Sequence, residues 1–142
     1  MIEIILAPDI YVNASLALGS PPEQVVRRVL GARKGGNKTS DWILSRVRQM
    51  LRAVPSFKDN AVEDQVNLIR GLVQIIAVPG DHGPDAWTDA LVATARVAGA
   101  TRVITDHPDL LSLETTQGIE FMSSEAWLVE AATPPPAPVQ TH

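Results

Sequence analysis

Apolar positions along the chain alternate between short β-branched blocks and longer runs at helical spacing. Residues 2–7 (IEIILA) are almost continuously apolar and stop at Pro8-Asp9, the pattern of a buried strand with a carboxylate at its C-terminal end. A short helix follows over residues 10–18. Ser20-Pro21-Pro22-Glu23 opens a helix over 22–31, proline suiting a first turn in which its missing N–H would have no partner anyway. Val25, Val26, Val29 and Leu30 form its apolar stripe. Residues 31–40 (GARKGGNKTS) are polar, basic and glycine-rich, and read as an exposed loop. Ser40 or Asp41 caps a helix over 41–53, with Ile43, Val47, Met50, Leu51 and Val54 on one face and Arg46, Arg48 and Arg52 near solvent. A helix from Asp59 or Asn60 to about Leu72 turns Val62, Val66, Ile69 and Val73 inward. Residues 73–78 (VQIIAV) form a strand closed by Pro79-Gly80, and residues 85–98 an alanine-rich helix closed by Gly99. Residues 102–105 form a short strand ending at Asp106, 119–122 a last strand, and 125–132 a helix capped by Ser123 or Ser124.

Strands alternating with helices predict an α/β fold, a three-layer sandwich with a central, mostly parallel sheet covered on both faces. The 142 residues suit one domain with its own core, placed here over 1–132, followed by a disordered proline-rich tail over 133–142. No cysteine is present, which excludes a thiol nucleophile, an iron–sulfur cluster and a cysteine-ligated zinc. No apolar run reaches the ~18 residues of a membrane span, and residues 2–7 lack the basic start of a secretory signal, so the expected location is the cytoplasm. Gly35-Gly36-Asn37-Lys38-Thr39 resembles only the tail of a phosphate-binding loop and follows a helix instead of a strand, so no nucleotide cradle is assigned. Charge is divided along the chain: residues 1–60 hold nine Lys/Arg and five Asp/Glu, residues 61–142 three and eleven. A basic half beside an acidic half suits cation-mediated contact with a polyanion, and equally an ordinary solvated surface.

In parallel sheets, ligand sites form at the carboxyl ends of strands. Asp9 follows the first strand, Asp106 follows the strand at 102–105, and Asp89 lies in the first turns of the helix after the 73–78 strand. Asp85 sits one helical turn before Asp89, where a helix N-cap or first-turn role suffices. Acids converging on a sheet edge can hold magnesium or manganese, which take oxygen ligands from a few carboxylates, water and substrate phosphate.

Residues 85–111 (DAWTDALVATARVAGATRVITDHPDLL) resemble the C-terminal signature of the PIN domain family: an acid opening an alanine-rich helix, a glycine turn, a short strand ending in threonine, then an acid and an Asp-Leu. The start, IEIILAPDIYVNASLAL, resembles the family's first strand and leading aspartate. The resemblance spans roughly residues 2–130. It implies a metal-dependent endoribonuclease like the toxins of bacterial toxin–antitoxin pairs, using Mg2+ or Mn2+ to activate water for phosphodiester hydrolysis. Carried over by position, Asp9 is the first acid, Asp89 the third and Asp106 the fourth, all three as metal ligands and catalytic residues. Implied partners are RNA, an antitoxin protein and a second copy of the chain, the helices at 22–31 and 41–53 offering a symmetric apolar patch.

The sequence also departs from the family pattern. Ser45 stands where the family carries an acid in the 41–53 helix, Tyr11 where it often carries Asn, and His107 in a slot that is often acidic. These departures define the alternative: a catalytically inactive PIN-like module that binds RNA or protein. Phosphoacceptor signalling is a poor fit, since its fold wants a lysine after the last strand and none follows Lys58. Trp42, Trp87 and Trp127 read as packing residues and Arg46, Arg48 and Arg52 as a solvated face, with base stacking and RNA-phosphate contact as their sharper readings.

Overall fold

A computed structural model of the chain describes residues 3–32 and 36–132. The proline-rich tail expected over 133–142 lies outside the described residues. Strand β1 (Ile4–Leu6) passes through Ala7 directly into helix α1 (Pro8–Leu16). Asp9 is therefore the second residue of a helix and not part of a loop at the strand end. Helix α2 (Pro21–Ala32) leads toward β2 (Lys38–Ser40), α3 (Asp41–Arg52), α4 (Asp59–Leu72) and β3 (Gln74–Ile76). Then come α5 (Trp87–Ala98), β4 (Arg102–Ile104), α6 (Pro108–Leu111), β5 (Thr115–Thr116), β6 (Ile119–Met122) and α7 (Ser124–Ala132).

Strands β1, β4 and β6 run parallel, and β5 closes the edge antiparallel to β6, in the order β1-β4-β6-β5. Strands β2 and β3 form a separate parallel pair, and β2 lies against β1. Across the molecule the strands thus read β3-β2-β1-β4-β6-β5, hydrogen-bonded in two groups where a single sheet was expected. The chain builds outward from β1 in both directions, which makes the β1/β4 boundary the topological switch point where open α/β sheets bind ligands. Helix α5 lies against β1, β2, β3 and β4, while α7, α2, α1, α3 and α4 pack in succession on one another. This is the expected architecture of a mostly parallel sheet flanked by helices.

The end of the stretch 31–40 is not the exposed loop that its composition suggests, and residues 33–35 lie outside the described ones. Lys38–Ser40 pairs with Gln74–Ile76, and Thr39 and Ser40 are buried. Two of the polar side chains there have partners: the Asn37 amide donates to the Val29 carbonyl at 2.9 Å, and the Thr94 hydroxyl donates to Ser40 Oγ at 3.0 Å, while the buried Thr39 hydroxyl has none. Ser40 also caps α3, accepting from the Ile43 N–H. The stripes of α2 and α3 face inward: Val25, Val29, Ile43, Val47 and Leu51 are all buried in the core. They do not form the exposed symmetric patch suggested for a homodimer. Among the described residues no helix is long and apolar enough to cross a membrane.

Candidate functional site

At the switch point the backbone fixes the ends of β1 and β4 side by side. The Ala7 N–H donates to the Ile104 carbonyl and the Thr105 N–H to the Met122 carbonyl, each at 3.0 Å, so both strands end at the same level. Two residues beyond Ala7, Asp9 turns into this junction and is only 7% exposed. The Thr105 hydroxyl donates to its Oδ1 at 2.9 Å and the Asp106 N–H to its Oδ2 at 2.8 Å. Burial pushes the Asp9 carboxyl above the ordinary aspartate range, with the charge of Asp106 adding to it, against the lowering effect of the two hydrogen bonds. A buried carboxylate at the switch point, beside a second acid, is the kind of perturbed group that marks a candidate site.

Asp106 is adjacent but turned away. Its Oδ1 accepts from the Ser124 N–H at 2.8 Å and its Oδ2 from the Ser124 hydroxyl at 2.6 Å, so it clamps the end of β4 to the start of α7. Asp89 occupies the first turn of α5, as expected, and is exposed. Asp85 is likewise exposed. The structure therefore brings Asp9 and Asp106 together and leaves Asp89 outside their hydrogen-bond network. Among the described residues, no group of three or more His, Asp or Glu side chains is arranged to hold a metal ion. The donor set at the switch point does not fit a magnesium or manganese site complete in protein ligands.

From the residue after Asp106 an aromatic and cationic group extends away. His107, the residue after Asp106, lies with its ring 5.6 Å from that of Trp87, and Trp87 meets Trp42 edge-on at 5.6 Å. The Arg46 guanidinium carbon sits 5.6 Å from the Trp87 ring centre. The His107 ring is oriented by its Nδ1, which accepts from the Asp109 N–H. Of the arginines on α3, Arg48 and Arg52 are engaged by Glu63, whereas Arg46 is turned to the aromatic group. Sequence reasoning missed Thr105 and Ser124 as the hydroxyls that orient the acids. Thr105 had a signal in its place at a strand end; Ser124 had none, because its partner lies 18 residues away.

No family model matches the chain, and no curated protein matches it. Among solved structures, the chain is similar to VapC20 of Mycobacterium tuberculosis, described as a toxin that cleaves the sarcin-ricin loop. The match has a TM-score of 0.58 and 13% identity, and covers 81% of this chain and 98% of that one. At that identity the likeness is one of fold.

Proposed function

We propose that this chain is a toxin-like PIN protein that works on RNA at the cleft between the ends of β1 and β4, gripping its substrate without a complete metal set. The observation that carries this reading is the switch-point geometry: one buried carboxylate, Asp9, flanked by Thr105 and a clamped Asp106, with His107 next in the chain and Trp87 and Arg46 in contact beyond it. Arg46 supplies the charge for a phosphate and the rings a surface for bases. The neighbour of like fold is described as a sarcin-ricin loop cleaving toxin, which supports RNA as ligand and, with it, an antitoxin protein as partner.

A second reading keeps cleavage. It is favoured by the raised carboxyl of Asp9 next to Asp106, a like-charge pair that a cation would relieve. In it Asp9, Asp89 and Asp106 hold magnesium or manganese once RNA phosphates complete the coordination, since such ions often use only one or two carboxylates together with substrate oxygens.

Fluorescence anisotropy with a labelled stem–loop RNA separates the two. Binding should persist in EDTA, without cleavage when manganese is added. Arg46→Ala should weaken it and lower the slope of log affinity against log salt by about 1. Manganese-dependent cleavage that disappears in Asp9→Asn would establish the second reading, and absence of RNA binding in every condition would sink both.

A further inference from the structure

The two outer strands of the molecule, β5 and β3, end its sheets differently. β5 is two residues long, and the exposed Glu114, with φ 56°, stands directly before it. Charge and irregular backbone are ordinary means by which an edge refuses a strand from another chain. β3 has neither. It lies in the run 73–78 (VQIIAV), which carries no charge and no proline, and none of residues 71–80 is charged. No described strand covers its outer side. Parallel pairing turns alternate residues toward the neighbour. The Gln74 N–H donates to the Asn37 carbonyl at 2.7 Å, and Ile76 shares that side. The N–H and C=O of Ile75 therefore point away from β2, at the open edge. Helix α4, which packs on β3, adds an apolar shoulder at the same end. Its Glu63 faces α3, where it holds Arg48 and Arg52, while Leu68 and Leu72 lie on the opposite side and are 57% and 43% exposed.

We infer that this edge is the interface between two copies of the chain, with β3 paired antiparallel to β3 about a two-fold axis at Ile75. The inference is independent of the RNA reading. A two-fold contact must be self-complementary, and this one is on two counts. At Ile75 the N–H of each copy meets the C=O of the other, so both open groups gain partners. Charge agrees as well. Arg70 lies in the last turn of α4 before the strand and Asp81 follows it; both are exposed, and neither is ion-paired with a described residue. Antiparallel pairing sets the start of one β3 against the end of the other, which brings Arg70 of each copy toward Asp81 of its mate. A parallel mate would set like charge against like.

Sedimentation equilibrium and cysteine cross-linking of the full chain test this, since the chain has no cysteine of its own. The native chain should sediment as a dimer. Gln74→Lys, an exposed change that charges the edge, should weaken the dimer about 10-fold or more with an unchanged far-UV circular dichroism spectrum. Ile75→Cys should form a disulfide-linked dimer on oxidation, because the axis sets the two Cα atoms ~5.5 Å apart. Gln74→Cys should not, because its two copies lie on a diagonal ~7–8 Å apart. A monomer at every concentration, a dimer that Gln74→Lys leaves intact, or cross-linking that does not favour position 75 over 74 would overturn the interface.

Discussion

Asp9 carries a standing electrostatic cost. Its carboxyl titrates above the ordinary value of 3.8 because the folded chain buries it, with Asp106 adding like charge. The sign follows from proton counting. Between the unfolded and folded pKa values the native state binds more protons than the unfolded state, so stability falls as pH rises through that window. Above it the ionised group remains a penalty of constant size. Asp9→Asn removes the charge and keeps an oxygen to accept the Asp106 N–H. Its melting temperature should draw ahead of the native protein's as pH rises from about 4, and then level off a few degrees higher, roughly 2–5 °C. Parallel curves over that range would show that burial of the charge is not what distinguishes the site. The place of Asp9 after the first strand was legible, because a β-branched run ending in Pro-Asp marks a strand end. The setting of Asp89 was not: inside an alanine-rich helix almost every position looks apolar-facing. The buried side is set by Ala90, Leu91, Val92, Thr94, Ala95 and Ala98, which together span about 200° of the helix, and Asp89 falls in the remaining arc.

At the scale of elements, the Asp106–Ser124 pair decides how α7 docks. Ser124 is the first residue of α7 and is 1% exposed, so its N–H is one of the orphan donors at a helix start. Asp106 satisfies both that N–H and the hydroxyl, and places a negative charge at the positive end of the helix dipole. Asp106→Ala leaves two buried polar groups without a partner and should cost about 2–4 kcal/mol, whereas Ser124→Ala, which removes only the hydroxyl, should cost about 1. The double variant should cost clearly less than the sum, measured by urea unfolding; additive effects would mean that the two do not act as a pair. This contact joins residues far apart in sequence, and no local pattern announces it. The β5–β6 hairpin did leave a signal. Gln117 and Gly118 have φ of 52° and 82°, the positive values of a type I′ turn, and a Gln-Gly pair between Thr-Thr and Ile-Glu is a weak form of the Asn-Gly hairpin signature. Strand β2 was hidden for the opposite reason. Lys38-Thr39-Ser40 has no apolar block, and its burial comes from β3 and α5.

Over the whole molecule, two separate ladders must act as one body if Arg46 and Trp42 on α3 are to keep their place beside Trp87 and His107. Helix α5 is the element that joins them, since it lies against β1 and β4 of one ladder and β2 and β3 of the other. Leu91 is its fully buried anchor. Truncation to alanine removes transfer energy and leaves a cavity at the junction, a loss of about 2–5 kcal/mol. That is a large part of the ~5–15 kcal/mol that stabilises an ordinary domain. The manner of the loss is the informative part. With α5 as the shared support, hydrogen exchange at Ile76 in one ladder and Val103 in the other should accelerate together, by the same factor, in Leu91→Ala. Acceleration confined to Ile76 would mean that β2 and β3 open on their own. Opening would then be local to one ladder, and α5 would not be the support that the two share.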